Sequence, residues 1–359
     1  MKVLITSPSL DGKKNVSGIS SVTKFIIDHN TKHDYINFPL GKRDDERRNI
    51  LWFLRIAQKY GRWCYTLLFQ KGILIHFNIS LAVRSIIRDA PLIMIARLLQ
   101  KRMIIHVHGG EYLMNKEMPG WMKYLLKLAF SGNTPKIVLS PLEVAVLKRR
   151  LNIDNLFVLV YCVDLNAASS FTRRVDKDKD EEMRLLFLGR ICHEKGLQYV
   201  YDALKALKLK GIKFSFIMAG SGPHEDFYVQ RFAELLLDDF EFKGVVSGEE
   251  KIKVLKNNDV FLLPSFFEGI PLALLESMSF GLVPITTNVG SISYVISDKE
   301  NGLLVNTQSS EEIALAIEKL SLDRMFKNRL STNARNYIFQ NLKPEEYVSQ
   351  LNKIYELAD

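Results

Sequence analysis

Pro264-Ser265-Phe266-Phe267-Glu268-Gly269-Ile270-Pro271-Leu272-Ala273-Leu274-Leu275-Glu276 is the stretch on which the reading of this chain turns. Glu268 and Glu276 flank Gly269-Ile270-Pro271, a turn expected to open a helix with Pro271 at its first position, where a missing N–H costs nothing. Glu268 then stands on the loop before the helix, and Glu276 about a turn and a half inside it. A helix start offers unpaired N–H groups and the positive end of the peptide dipole, which together suit a phosphate. Carboxylates to either side cannot hold the phosphate, but they accept hydrogen bonds from sugar hydroxyls. One short segment can therefore grip a sugar, its phosphate and a second sugar, which is the outline of a nucleotide-sugar site.

Working outward, short β-branched apolar runs alternate with longer helical patterns. The strand runs of the first half are 2–6, 73–77, 103–108, 136–139 and 156–161; those of the second are 184–188, 213–219, 241–243, 260–263, 283–286 and 302–305. Strands alternating with helices predict an α/β chain with parallel sheets covered on both faces, and two such sets predict two Rossmann-like domains. Ligands of such sheets bind beyond the carboxyl ends of the strands. The expected division is 1–167, 168–343 and a last helix, 344–359, returning to the first domain. The charge-dense run Arg173 to Asp180 reads as a solvated connection. Its Asp-x-Asp triplets have mixed charges around them and no flanking strand, so no metal site is expected there.

Four segments in order carry a resemblance. They are Leu185-Leu186-Phe187-Leu188-Gly189-Arg190 with Glu194-Lys195-Gly196, then Phe216-Ile217-Met218-Ala219-Gly220-Ser221-Gly222-Pro223, the Glu268–Glu276 segment, and Asn301-Gly302-Leu303-Leu304-Val305. Together they resemble the retaining glycosyltransferases of family 4, with their E-x7-E signature and GT-B fold. The likeness is strongest over 183–306. It implies transfer of a sugar from a nucleotide-diphosphate sugar to a hydroxyl of a glycan or lipid-linked acceptor, as in bacterial surface polysaccharide or glycoconjugate synthesis. Neither a cofactor nor a metal is expected. The other readings are a GT-B-fold epimerase or phosphorylase, or a non-catalytic partner subunit that binds a nucleotide sugar.

The resemblance also distributes roles. Glu276 is expected at the ribose hydroxyls and Glu268 at the donor sugar, with the backbone of Gly269, Ile270, Pro271 and Leu272 beside them. Arg190 and Lys195, two cations on one loop, can hold a diphosphate and offset charge as it leaves. Gly220 and Gly222 fall near the donor pocket, and Val245 borders the base. Ser17-Gly18-Ile19 resembles the family's Gly-Gly-Ile loop, with Ser17 in place of the first glycine; a chain passing close to phosphate wants no side chain, which is the expected use of Gly18. His106 and His108 share one face of a strand, and the resemblance points to His108, through its ring or its backbone carbonyl, as the group facing the donor sugar. Ser17 and Glu111 are acceptor-side candidates.

Composition narrows the setting. The chain has 359 residues with 47% hydrophobic content, ample for two cores. No apolar run reaches the roughly 18–20 residues of a membrane span, and the start lacks the pattern of a signal peptide. Three cysteines without metal spacing fit a reduced cytoplasm. Residues 1–165 hold 25 Lys and Arg against 12 Asp and Glu, a balance of +13 within a net +9. That half is expected to face something acidic, either an anionic membrane or a phosphorylated acceptor, and no nucleic-acid motif accompanies the charge. The helical stretch from Glu46 to Phe69 puts Phe53, Ile56, Ala57, Tyr60, Trp63, Cys64, Leu67 and Leu68 on one face and Arg48, Arg55, Lys59 and Arg62 on another. It reads as an amphipathic helix docked on its domain, or as a basic surface lying on lipid at the cytoplasmic face of the inner membrane.

Overall fold

The structure, a computed structural model, describes residues 1–11, 17–41, 50–173 and 182–358, with 50–53 described by backbone alone. The expected helix start at Glu46, Arg48, the side chain of Phe53 and the 174–180 connection lie outside the described residues. The chain forms two compact units, Met1–Tyr161 with Glu345–Asp359, and Cys162–Pro344.

The strands of the first unit are β1 (Lys2–Ser7), β2 (Asp34–Pro39), β3 (Leu74–Ile79), β4 (Met103–Val107), β5 (Lys136–Val138) and β6 (Leu156–Val158). They form a parallel sheet in the order β2-β1-β3-β4-β5-β6. Every residue of β3 and β4 is buried, as expected of central strands covered on both faces. The edge strand β2 was not among the expected strands. Its sequence, Asp34-Tyr-Ile-Asn-Phe-Pro39, mixes polar residues into the run and ends in proline, and its burial is correspondingly partial.

The helices of this unit are α1 (Gly18–His29), α2 (Ile50–Phe69), α3 (Val83–Leu98), α4 (Glu111–Met114), α5 (Gly120–Phe130) and α6 (Pro141–Leu151). Ser140 caps α6, its hydroxyl accepting from Glu143 N at 3.3 Å, with Pro141 inside the first turn. Helix α2 docks through Trp63 and Leu67, both fully buried. The Trp63 indole N–H donates to Leu92 O at 3.1 Å, and its ring meets Phe38 and Phe77 edge-on at 5.1 and 5.6 Å. This satisfies the one polar atom of a large buried side chain.

The second unit holds β7 (Met183–Leu188), β8 (Phe214–Ala219), β9 (Phe240–Gly244), β10 (Val260–Leu263), β11 (Val283–Thr287) and β12 (Leu303–Val305), after a short helix, α7 (Asn166–Ser169). The sheet is parallel in the order β12-β11-β10-β7-β8-β9. Around it run α8 (Leu197–Leu209), α9 (Glu225–Leu236), α10 (Gly248–Asn257), α11 (Leu272–Ser279), α12 (Ser310–Leu322) and α13 (Arg324–Asn341); α14 (Pro344–Glu356) falls almost wholly in the first unit.

The division falls after Tyr161, ahead of the expected 167/168, because the segment that follows is tied to the second unit. Arg335 donates to Ala168 O at 2.8 Å and to Ser279 O at 2.9 Å. Arg173 donates to Phe280 O at 2.9 Å and pairs with buried Asp259 at 3.2 Å. Asp259 also receives the Arg184 fork, at 2.9 Å to each oxygen, so its charge is compensated where it is desolvated.

Candidate functional site

In the second unit the carboxyl ends of β7, β8, β10 and β11 release four loops that brace one another. Gly189 N donates to Ala219 O at 3.0 Å and Ile191 N to Ser221 O at 2.9 Å. Gly220, at φ +131°, lies so close to this neighbour that a Cβ would sit 1.8 Å from Gly189 O; at Gly222 one would sit 2.2 Å from Ile191 O. These glycines are therefore demanded by backbone approach. On the other side, Phe266 N donates to Glu194 O at 2.8 Å, Thr287 Oγ1 to Ser265 O at 2.5 Å, and Ser291 N to Gly269 O at 3.3 Å.

This bracing aims Glu268. Its Oε1 accepts from Lys195 Nζ at 2.5 Å and from Ser265 Oγ at 2.7 Å. The side chains of Lys195 and Glu268 are 22% and 10% exposed, so water screens the pair only in part. Lys195 ends a short 3₁₀ turn, His193–Lys195, and Arg190 stands exposed earlier on the same loop. Glu276, four residues into α11, forms a second ion pair, with Lys251 of α10 at 2.6 Å. Helix α11 begins at Leu272, so Pro271 occupies the cap position and not the first helical one. The first free donors of this helix are the N–H groups of Leu272 and Ala273, since Leu274 N and Leu275 N already bond Pro271 O at 3.1 and 3.3 Å. Ile270 is buried, while Val245 is exposed on the loop after β9.

Gly290, at φ +58°, closes the brace: a Cβ there would stand 1.7 Å from Glu268 O. Gly290→Ala is expected to displace the Glu268 loop and cost about 2–3 kcal/mol through overpacking and left-handed strain. Gly211→Ala, at φ +72° with nothing within 4 Å of its Cβ, bears only the strain, about 1–2 kcal/mol. Chemical denaturation of the two variants beside the parent checks the difference, and equal losses would deny the clash.

Ser17, Gly18, His108 and Glu111 belong to the first unit. Ser17 holds the N-cap position of α1 without a side-chain cap bond, and a Cβ on Gly18 would meet nothing within 4 Å. The protein's own packing thus places no demand for glycine there. Glu111 opens α4 and pairs with Lys116 at 2.6 Å. His108 follows β4, and both its ring nitrogens are engaged. Asn78 spends its amide hydrogens on Thr6 O at 2.6 Å and Thr23 Oγ1 at 3.1 Å, so its Oδ1 accepts from His108 Nε2–H at 2.7 Å. Nδ1 then accepts from the Tyr161 hydroxyl. Burial, with His76 as a lesser cause, holds His108 well below the usual imidazole range, so the ring is neutral at pH 7. Both ring nitrogens of His108 are thus engaged within the first unit.

Lys251, Ser265, Thr287, Gly290, Asn78 and Tyr161 were not among the expected residues. Thr287, Asn78 and Tyr161 lie in or just beyond the carboxyl-terminal part of parallel strands, where polar residues face ligands. That position was the available signal. Nothing in the sequence marks the Lys251–Glu276 pair, which arises from the packing of two helices. Among the described residues no group of three or more His, Cys, Asp or Glu is placed to hold a metal.

Residues 169–337 match the family model described as glycosyl transferases group 1. The chain spans about half the length of the curated relatives it matches. One relative, the alpha-D-kanosaminyltransferase of Streptomyces kanamyceticus, is 29% identical over 156 residues, 43% of this chain and 40% of that enzyme. Among solved structures, sucrose-phosphate synthase from Thermosynechococcus elongatus superposes with a TM-score of 0.78 over 99% of this chain and 98% of that one, at 18% identity. HepE of Anabaena, solved with UDP-glucose, gives 0.74 over 99% of both chains at 15% identity. The chain thus has the two parallel-sheet Rossmann-like units seen in GT-B structures, and the likeness to glycosyl transferases group 1 falls on residues 169–337, in its second unit.

Proposed function

We propose that this chain is a retaining glycosyltransferase of family 4 that moves a sugar from a nucleotide-diphosphate sugar to a hydroxyl of a glycan or lipid-linked acceptor, without a metal. The observation that carries the reading is the Lys195–Glu268–Ser265 cluster braced beside the start of α11. With no ligand, Lys195 is held by Glu268. A pyrophosphate bears more charge than one carboxylate and takes the lysine, which frees Glu268 to accept from the donor sugar's hydroxyls. Arg190 adds a bidentate grip, the N–H groups of Leu272 and Ala273 take a phosphate oxygen, and Glu276, steadied by Lys251, takes the ribose. These fixed cations and dipoles stabilise the departing diphosphate. The departing phosphate accepts the acceptor's proton on the same face.

A melting screen against UDP-, GDP- and ADP-sugars tests the donor reading, because a ligand bound only by the folded chain raises the melting temperature. One nucleotide series is expected to stabilise by several degrees, with the UDP-glucose held by HepE the first to try. No shift with any of the three would remove the donor assignment.

The chain acts, in this reading, at the cytoplasmic face of the inner membrane. No helix among the described residues is long and apolar enough to cross a membrane. Helix α2 instead turns Leu54, Tyr65, Leu68 and Phe69 outward at 58–69% exposure, and α5 does the same with Trp121, Tyr124 and Leu128. Exposed apolar and aromatic side chains beside cations are the pattern of an interfacial surface. Changing Leu54, Leu68 and Phe69 together to Gln is expected to lower partition onto phosphatidylglycerol vesicles at least about tenfold; unchanged sedimentation with the vesicles would remove the membrane from this account.

A further inference from the structure

We propose that Glu268 has a second task besides the donor sugar. It is an internal counter-ion that competes with a sugar-free nucleoside diphosphate for Lys195, so the site holds the intact donor more firmly than the diphosphate left after transfer. The inference rests on the proposed function for the identity of the ligand, and its residues all lie within the second unit.

The ion pair is built in advance of any ligand. Lys195 Nζ stands 2.5 Å from Glu268 Oε1, and among the described residues that carboxylate is the lysine's one hydrogen-bond partner. Neither loop has room to draw back from the other. Gly196, at φ +73°, packs so closely that a Cβ would stand 2.1 Å from Pro264 O, and Phe266 N bonds Glu194 O at 2.8 Å. Two neighbouring threonines of β11 hold the segment leading to Glu268, Thr286 through Leu263 O at 2.8 Å and Thr287 through Ser265 O. Ser265, fully buried, gives its hydroxyl to the same Glu268 oxygen at 2.7 Å. An anion that takes Lys195 therefore displaces a fixed carboxylate and not water alone, in a setting where water screens only in part.

Donor and product meet this competitor differently. Both bonds to Glu268 fall on Oε1, and none from a described residue falls on Oε2. A nucleotide sugar that draws Lys195 away brings hydroxyls that donate to the released carboxylate. A sugar-free diphosphate draws on the same lysine and offers Glu268 nothing. It leaves a carboxylate only 10% exposed, supported by Ser265 and facing an anion, and an ionised group so shielded is unfavourable without its partners. The donor thus offsets the loss of the ion pair and the product does not. Once the sugar has gone, Lys195 returns to Glu268 and the diphosphate is released.

The test is calorimetry on the full chain with inorganic pyrophosphate, UDP and UDP-glucose, using the parent, Glu268→Gln, Lys195→Ala and the double variant. Glutamine has the shape of glutamate and still accepts from Ser265, but carries no charge for the lysine. Glu268→Gln is expected to bind pyrophosphate and UDP at least about fivefold more tightly than the parent, the scale of coupling between two ligands of one group. UDP-glucose gains less, so its preference over UDP falls at least about threefold. In the Lys195→Ala background the same Gln change is expected to tighten pyrophosphate at least about threefold less than it does alone, because the lysine it would liberate is absent. Equal gains in the two backgrounds would mean plain repulsion between carboxylate and anion and would overturn the proposal. So would pyrophosphate bound no more tightly by Glu268→Gln than by the parent, or by neither. Melting temperatures establish that each variant is folded, and Glu268→Ala takes the place of a glutamine variant that is not. Tightened pyrophosphate in a chain that binds no UDP-, GDP- or ADP-sugar would keep the counter-ion and remove the transferase reading. UDP-glucose binding with pyrophosphate affinity unchanged by Glu268→Gln would do the reverse.

Discussion

Lys195→Ala is expected to lower sugar transfer at least about 100-fold with little change in the affinity for the nucleoside alone, the scale set by removing one preorganised charge donor from a developing anion. The expectation follows from the lysine's double use. In the free protein its ammonium meets Glu268 at 2.5 Å in a half-buried setting. With donor bound, the same ammonium passes to the diphosphate, where negative charge grows as the glycosidic bond breaks. A contact that strengthens between ground and transition state raises kcat, and its loss is seen mainly there. Glu276→Ala should behave differently. Its partner Lys251 lies at 2.6 Å on α10, and its proposed work is to hold the ribose, a part of the donor that does not react. The loss should therefore appear first as a raised KM. Steady-state kinetics with the donor found in the melting screen separate the two patterns. Lys195→Ala turning over within threefold of the parent would remove the lysine from the mechanism. The melting temperature of the variant checks folding separately, and little loss is expected because Glu268 still has the Ser265 hydroxyl, 2.7 Å away in the parent, as a partner.

Much of the architecture was legible because parallel strands buried on both faces leave an unmistakable trace. Val260–Leu263 and Val283–Thr287 are apolar or β-branched apart from one proline, and bounded by turn residues. The edge strand Asp34–Pro39 leaves no such trace, because half its neighbours are water. Within the site, the order of glycines and charges pointed to Lys195, Glu268 and Glu276. It could not show that Glu268 is aimed by Ser265, Thr287 and Gly290, for those contacts depend on how close two loops come, a distance set by packing. The histidines show the same limit. Their alternation placed His106 and His108 on one face of the strand. What the strand pattern could not reveal is that His76, on the neighbouring strand, completes a row with them, or that Asn78 and Tyr161 take both ring nitrogens of His108.

That row of histidines predicts acid lability. His76 and His106 are fully buried on β3 and β4, 5.3 Å apart between ring centroids, and His108 follows His106 at 4.1 Å. The hydrogen bonds run in one direction. Tyr35 donates to Tyr355 Oη at 3.4 Å, Tyr355 to His76 Nδ1 at 2.7 Å, and His76 Nε2–H to His106 Nδ1 at 3.1 Å. His106 Nε2 ends the series, buried and without a partner. No carboxylate appears in this series, so a second proton on any ring would be unpaired charge in a dry interior. Burial accordingly pulls His76 down from 6.5 to about 3 and holds His106 and His108 well below 6.5. Below pH 6.5 the unfolded chain takes up protons that the folded chain refuses, so stability is full above that value and falls as the pH drops toward the folded pKa values. His76 alone contributes a slope of about 1.4 kcal/mol per pH unit, and its two neighbours act in the same sense. Guanidinium unfolding of the full chain between about pH 6 and pH 5, where ordinary carboxylates are still ionised in both states, should show this slope. His76→Gln, which can still bond Tyr355 and His106, should lose about one proton's share of it. An unchanged slope in that variant would mean the His76 ring is charged, or solvated, in the native protein. The fastening of α14 to β3 through Tyr355 would then need another explanation.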